Sequence, residues 1–189
     1  MGATPELGGD AVVHAHPGTT AAMREAYVFI EGVTLPPKPA EALPDVEIAG
    51  DTTLVIGGVE VRLTPTVAHT AGDLSVYLPR ARVAHLGDTY LAANPMMYPG
   101  QQDPAGFLDD LEAFLDSMHP ETVVVGGHEE PADLAAVRAQ IETSRAAMDF
   151  VRDAMEAGST LDEAAEAGAE RFAPQWIAFF WGVLGEGEG

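Results

Sequence analysis

Three short segments constrain this chain more than anything else in it. Each places a metal-capable side chain beside a strand and glycine. They are Val67-Ala68-His69-Thr70-Ala71-Gly72-Asp73-Leu74, Val83-Ala84-His85-Leu86-Gly87-Asp88-Thr89 and Val123-Val124-Val125-Gly126-Gly127-His128. In the second and third, an apolar strand runs into glycine and then into a single Asp or His. In the first, a His sits in the turn between two strands. Glycine lets backbone and ligand approach closely. A polar residue just past a strand end projects from a rigid support, as a metal or catalytic site requires. Imidazole and carboxylate are ligands for zinc, iron or manganese. Each segment alone is unspecific, because a lone His or Asp in a loop is usually only solvated.

The surrounding pattern predicts an α/β (α+β) protein that changes character near residue 103, strand-rich before it and helix-rich after it. Residues 11–13 read as a short strand. Thr19 or Thr20 is placed to cap a helix over about 21–30. Four prolines between 34 and 45 (Pro36, Pro37, Pro39, Pro44) predict an extended connector. Gly57-Gly58 predicts a two-residue hairpin between Thr52–Ile56 and Val59–Leu63, with Val61 and Leu63 on one face and Glu60 and Arg62 on the other. A second hairpin joins Leu74–Leu78 to Arg82–Leu86. Thr122–Val125 reads as a buried strand because it is continuously apolar. Asp103-Pro104 starts a helix with Phe107, Leu108, Leu111, Phe114, Leu115 and Met118 on one face. Pro131 starts another, ended by Gly158. Ser159 and Thr160, with Asp162 and Glu163 three residues on, offer a capping box for the next. The last helix carries Trp176, Ile177, Phe180, Trp181 and Leu184, a spacing that reads as a packing face.

The order of His69, Asp88 and His128, with the words that flank them, resembles the second half of the metallo-β-lactamase superfamily, which includes glyoxalase II-like thioesterases. There, an A-H-T-x-G-D-L-x-V-Y-L-P segment supplies a histidine ligand, a V-x-x-x-G-D segment a bridging aspartate, and a G-H segment the last histidine. This chain reads Ala68-His69-Thr70-Ala71-Gly72-Asp73-Leu74-Ser75-Val76-Tyr77-Leu78-Pro79. Pro99, the helix over Phe107 to Leu115 and the helical tail are similar too, so the likeness extends over most of residues 10–184. It implies a partial αββα sandwich over residues 1–157, with 158–189 as a helical C-terminal extension of the same domain. It implies a metal-dependent hydrolase acting on an ester, thioester or lactam. His69, Asp88 and His128 would hold one zinc ion or two (iron or manganese being possible), with Asp88 also the catalytic residue. From their place in the loop after Asp88, Tyr90 and Asn94 read as lining a substrate site, with Tyr98 a further candidate. Asp73, after Gly72, reads either as an acceptor that orients His69 from behind or as a turn aspartate.

The family's H-x-H-x-D-H motif does not occur in this sequence. His14-Ala15-His16 imitates it, but Gly18-Thr19 stand where Asp-His would follow, and a histidine in a strand-to-helix turn is usually structural. His85 reads as structural, His119 as a surface cap, and Glu129 and Glu130 as charges beside His128 or as caps for the next helix. Activity of this chain alone is therefore doubtful, and a second reading is a non-catalytic or repurposed scaffold that binds, cyclises or acts as a lyase. An uncovered sheet face and strand edge would be expected to draw two copies into a homodimer.

Charge sets the remaining expectations. Thirty Asp and Glu against nine Lys and Arg give a net charge of −21, which argues against nucleic acid and anionic membranes as partners; the resemblance implies a small-molecule substrate. The chain has no cysteine, so disulfides and thiolate zinc sites are excluded. The first ten residues lack the basic-then-apolar pattern of a secretory signal, and a cytoplasmic protein is expected.

Overall fold

The Gly57-Gly58 turn organises the outer edge of the sheet. Both glycines have positive φ, +58° and +82°, the geometry that a right-twisted two-residue hairpin needs. In the computed structural model, which describes residues 11–30, 33–66, 69–91, 103–128 and 130–185, this turn joins β5 (Thr52–Ile56) to β6 (Val59–Pro65). Leu54 pairs with Val61, and β6 then runs antiparallel to β7 (Leu74–Leu78) with Leu63 opposite Val76. β7 turns back into β8 (Val83–Gly87). The chain then crosses through a helix, α2 (Pro104–Asp116), and returns as β9 (Val123–Gly126), parallel to β8. A short β10 (Ala132–Asp133) closes the far edge, giving the order β10-β9-β8-β7-β6-β5.

Strand alternation sorts this sheet into two faces. Tyr77 lies opposite Ala84, and Ala84 opposite Val124, so these three share a face. They belong to one buried cluster with Leu108, Leu111 and Leu115 of α2, Val137, Ile141 and Val151 of α3 (Leu134–Glu156), Ala164 of α4 (Leu161–Gly168), and Ile177 and Phe180 of α5 (Pro174–Gly185), the last two helices packing on α3 and on each other. The helices start where local chemistry favours it. Asp103 accepts from the Gly106 amide ahead of Pro104, Asp133 accepts from Ala136, and Thr160 and Glu163 cap each other reciprocally. Arg145 ties α3 to α2 through Asp109 and Glu112; these carboxylates raise its pKa, the hydrogen bond to Glu112 most.

The opposite face carries Leu54, Val61, Leu63, Val76 and Val125, with Ile56 and Val59 exposed at its outer end. Glu60 and Arg62 therefore point to the helix side, where Arg62 lies over the Tyr77 ring and borders an open groove of about 1240 Å³ between the outer hairpin and α2.

The region before residue 50 differs from the sequence expectation. The first strand among the described residues is β1 (His14–Ala15), not 11–13, and pairs in parallel with β4 (Val46–Glu47). The expected helix over 21–30 lies instead at α1 (Pro17–Arg24). Pro17 opens it, and the His16 imidazole caps it by accepting from the Gly18 amide at 3.1 Å. Tyr27–Ile30 is strand β2, paired with β3 (Val33–Leu35), because β-branched and aromatic residues suit a pleated pair better than a helix. The connector is extended apart from this strand and a single 3₁₀ turn at Ala40–Ala42. Two smaller differences follow. The helix expected from Pro131 begins at Leu134, since 132–133 pair with β9, and Val123 is exposed although Val124 is fully buried. No helix among the described residues is long and apolar enough to cross a membrane.

Candidate functional site

His69, Asp88 and His128 meet at one end of the sheet. β8 stops at Gly87, whose φ of +54° turns the chain sharply and presents Asp88 beyond the strand. β9 stops alongside at Gly126, and the Gly127 amide donates to the Gly87 carbonyl at 2.9 Å. That bond holds the ends of the two parallel strands side by side. The contact between Gly127 and Asp88 is so close that a Cβ at 127 would overlap the Asp88 carboxylate. Glycine here is a requirement of space.

The His69 turn is fixed by Asp73. Its Oδ2 accepts from the backbone amides of His69 at 2.5 Å and Thr70 at 2.8 Å, and its Oδ1 accepts from the Thr70 hydroxyl at 2.6 Å. Asp73 thus holds the backbone that carries His69. Residues 18–19 press on the same turn. The Thr19 hydroxyl donates to the Gly72 carbonyl at 2.7 Å, and neither Gly18 nor Gly72 has room for a Cβ. Sequence reasoning missed this contact, because nothing local to either segment announces it.

The resulting geometry is symmetrical about one carboxylate. His69 Nε2 lies 3.7 Å from Asp88 Oδ2, and His128 Nε2 lies 3.5 Å from Asp88 Oδ1. These gaps exceed a hydrogen bond. They are close to the roughly 3.3–3.6 Å that separates two ligands of one tetrahedral zinc ion. The three side chains are partly exposed, His128 most, so solvent and a small molecule have access. The donor types and pairwise spacings fit a metal ion. Among the described residues, however, no set of three or more His, Asp or Glu is gathered closely enough to form a ready-made metal site. The histidines address opposite oxygens of Asp88, an arrangement suited to a carboxylate shared between two positions.

Other candidates separate from this cluster. Tyr90 is only 6% exposed and packs in the helix-side core, so its ring does not line the open site. Asn94, Tyr98 and Glu129 lie outside the described residues. His85 points to the opposite sheet face and is exposed. His119 accepts from the Glu121 amide at 3.1 Å and caps its own turn. His16 is the cap of α1.

The model of the metallo-beta-lactamase superfamily matches residues 7–128, a span that includes all three converging side chains. The chain belongs to that superfamily. A hydroxyacylglutathione hydrolase of Acidiphilium cryptum is 32% identical over 105 residues, which are 55% of this chain and 42% of that protein. This chain thus spans about two-fifths of the length of the curated relatives it matches. Among solved structures, an archaeal metallo-beta-lactamase superfamily protein from Sulfolobus tokodaii superposes with a TM-score of 0.54 at 17% identity, covering 76% of this chain and 62% of that one. The BLEG-1 B3 metallo-beta-lactamase gives 0.54 at 16%, covering 67% and 62%. At such identity these two likenesses speak for the fold alone.

Proposed function

We propose that this chain carries part of the metal centre of a hydrolase acting on an ester, thioester or lactam, and that His69, Asp88 and His128 are its ligands. One observation carries the reading: two imidazoles from distant segments face the two oxygens of one strand-end carboxylate. Zinc is the expected ion, with iron or manganese as alternatives, and Asp88 bridges if two ions bind. When bound, such an ion polarises a carbonyl and lowers the pKa of its water to about 7. The chain's own contribution is orientation. Asp73 sets the backbone of the His69 turn, and Gly127 leaves the space in which the Asp88 carboxylate lies. The likeness to hydroxyacylglutathione hydrolases favours a thioester among the three substrate classes. Because H-x-H-x-D-H does not occur in these 189 residues, weak metal binding and low turnover are expected from this chain alone.

Elemental analysis of the purified chain, beside an Asp88→Ala, His128→Ala double variant, tests the reading. About one metal ion per chain, lost in the variant, is the expected result. No metal in either would favour the second reading, a repurposed scaffold that binds or rearranges a small molecule, for which the lack of a ready-made three-residue site among the described residues speaks. In either case a second copy of the chain is the proposed cover for the apolar face that bears Ile56 and Val59.

A further inference from the structure

The turn that carries Asp88 is fastened at both ends. At its start, the Gly87 carbonyl accepts from the Tyr90 amide at 3.3 Å and from the Gly127 amide at 2.9 Å. At its other end, the Leu91 carbonyl accepts from the side-chain amide of Gln140 on α3. Between these points Thr89 is completely buried and Tyr90 nearly so. Gln140 itself is buried, in a helix face otherwise made of Leu134, Val137, Ile141, Ala147, Met148 and Val151 together with Ser144. An amide in such a stripe is costly unless its polar atoms are used, and here its donor reaches 49 residues back along the chain to the loop that bears the central carboxylate. α3 is a firm base for this bond, since Arg138 and Arg145 tie it to Asp116, Glu112 and Asp109 of α2.

We infer that Gln140 is a positioning residue for the metal centre: it clamps Leu91 and thereby holds the Asp88 turn in the orientation in which both histidines address its carboxylate. The inference rests on the metal-ligand role proposed for Asp88. It adds a residue on a helix that contributes no ligand, acting through the backbone of the loop. Partners one step behind a ligand set typically govern metal affinity by about 10–100-fold. For a clamp acting through the backbone, the low end of that range is expected.

The test compares three variants of the full chain with the wild type: Gln140→Met, which keeps length but removes the donor; Ile141→Val, which loosens the same helix without touching the loop; and Asp88→Ala. Zinc affinity is read by competition with a chromophoric chelator, and amide exchange of Thr89 to Leu91 is read without metal. Gln140→Met should bind zinc roughly tenfold more weakly and exchange these amides faster, whereas Ile141→Val should match the wild type in both. Should Gln140→Met not fold, Gln140→Leu removes the donor with another apolar side chain, with the same expectation. Wild-type affinity and exchange in Gln140→Met, beside lost binding in Asp88→Ala, overturn the clamp and leave the metal site standing. Equal losses in Ile141→Val also overturn it, because the effect would then be general loosening. Wild-type protein that binds no zinc removes the metal reading and the inference with it, and is recognised by Asp88→Ala behaving as wild type.

Discussion

The two faces of the six-stranded sheet are built from the same strands, yet they differ in how they are finished. On the helix side, Ala84, Val124, Leu108 and Phe180 are wholly buried in one continuous cluster. On the other side, Leu63 is buried, but Ile56 and Val59 leave 59% and 47% of their surface open at the hairpin tip, where Val55 of the helix side is exposed as well. Strand alternation alone would make either face a core, since both carry apolar residues in register. What separates them is the supply of covering elements. The buried cluster shared with the helices after residue 103 lies on one side, whereas the described elements before residue 50 are short strands, a 3₁₀ turn and one eight-residue helix. The side chains proposed as ligands stand at the sheet's end, beyond both faces. Loops there are held by hydrogen bonds and close glycine contacts, and the Asp88 turn also by the burial of Thr89 and Tyr90.

The largest expected effect comes from setting the two faces against each other. Phe180→Ala should cost about 3–5 kcal/mol in a urea titration. Ile56→Ser should change the stability of the folded chain by no more than about 0.5 kcal/mol. If a second copy covers that face, the same substitution should convert a dimer into a monomer in sedimentation. Comparable losses for both substitutions, with no change in mass, would mean that the outer face is sealed by the chain itself.

The sheet's end supplies an intermediate effect. Gly127→Ala forces the Asp88 carboxylate out of its place. Zinc retention should fall by at least about tenfold, while the urea midpoint stays far closer to wild type than that of Phe180→Ala. Undiminished zinc binding in this variant would show that the carboxylate's present position is not the one that matters.

The smallest effect belongs to a helix start on the closed side. The Thr160 amide, and then its hydroxyl, hold the Glu163 carboxyl below its ordinary pKa. A depressed folded-state pKa adds stability above the unfolded value, and that stability is lost as pH falls through the folded value. Glu163→Gln should therefore be slightly less stable than wild type at neutral pH, and the two thermal midpoints should converge below about pH 4. A gap that persists in acid would point to helix packing, not charge, as the source.

Much of the fold was legible because its signals are local. Gly57-Gly58, Asp103-Pro104 and the Thr160–Glu163 box each act within a few residues, and the elements begin and turn where those residues stand. Legibility failed where two local rules competed. Tyr27–Ile30 is apolar enough to extend a helix, but its β-branched and aromatic residues pair with Val33–Leu35. Pro131 is a good first helical residue, yet pairing of 132–133 with β9 delays the helix by a turn. Tyr90 looked like a residue of the site because it follows Asp88 in a loop, and the packing of that loop against the helices turned it into core.

By itself, then, the sequence determined where the strands turn, where most helices start, which residues are apolar partners, and that His69, Asp88 and His128 stand beside strand ends. Only the tertiary structure decided that these three face one another, that Gly127 must be bare to admit the Asp88 carboxylate, and that Gln140 holds the loop from a helix far along the chain. The physical reason is range. Turn and cap preferences are settled by a residue and its near neighbours, whereas the distance between two side chains from separate strands is set by register, by the parallel pairing of β8 with β9, and by the helices that lock both in place.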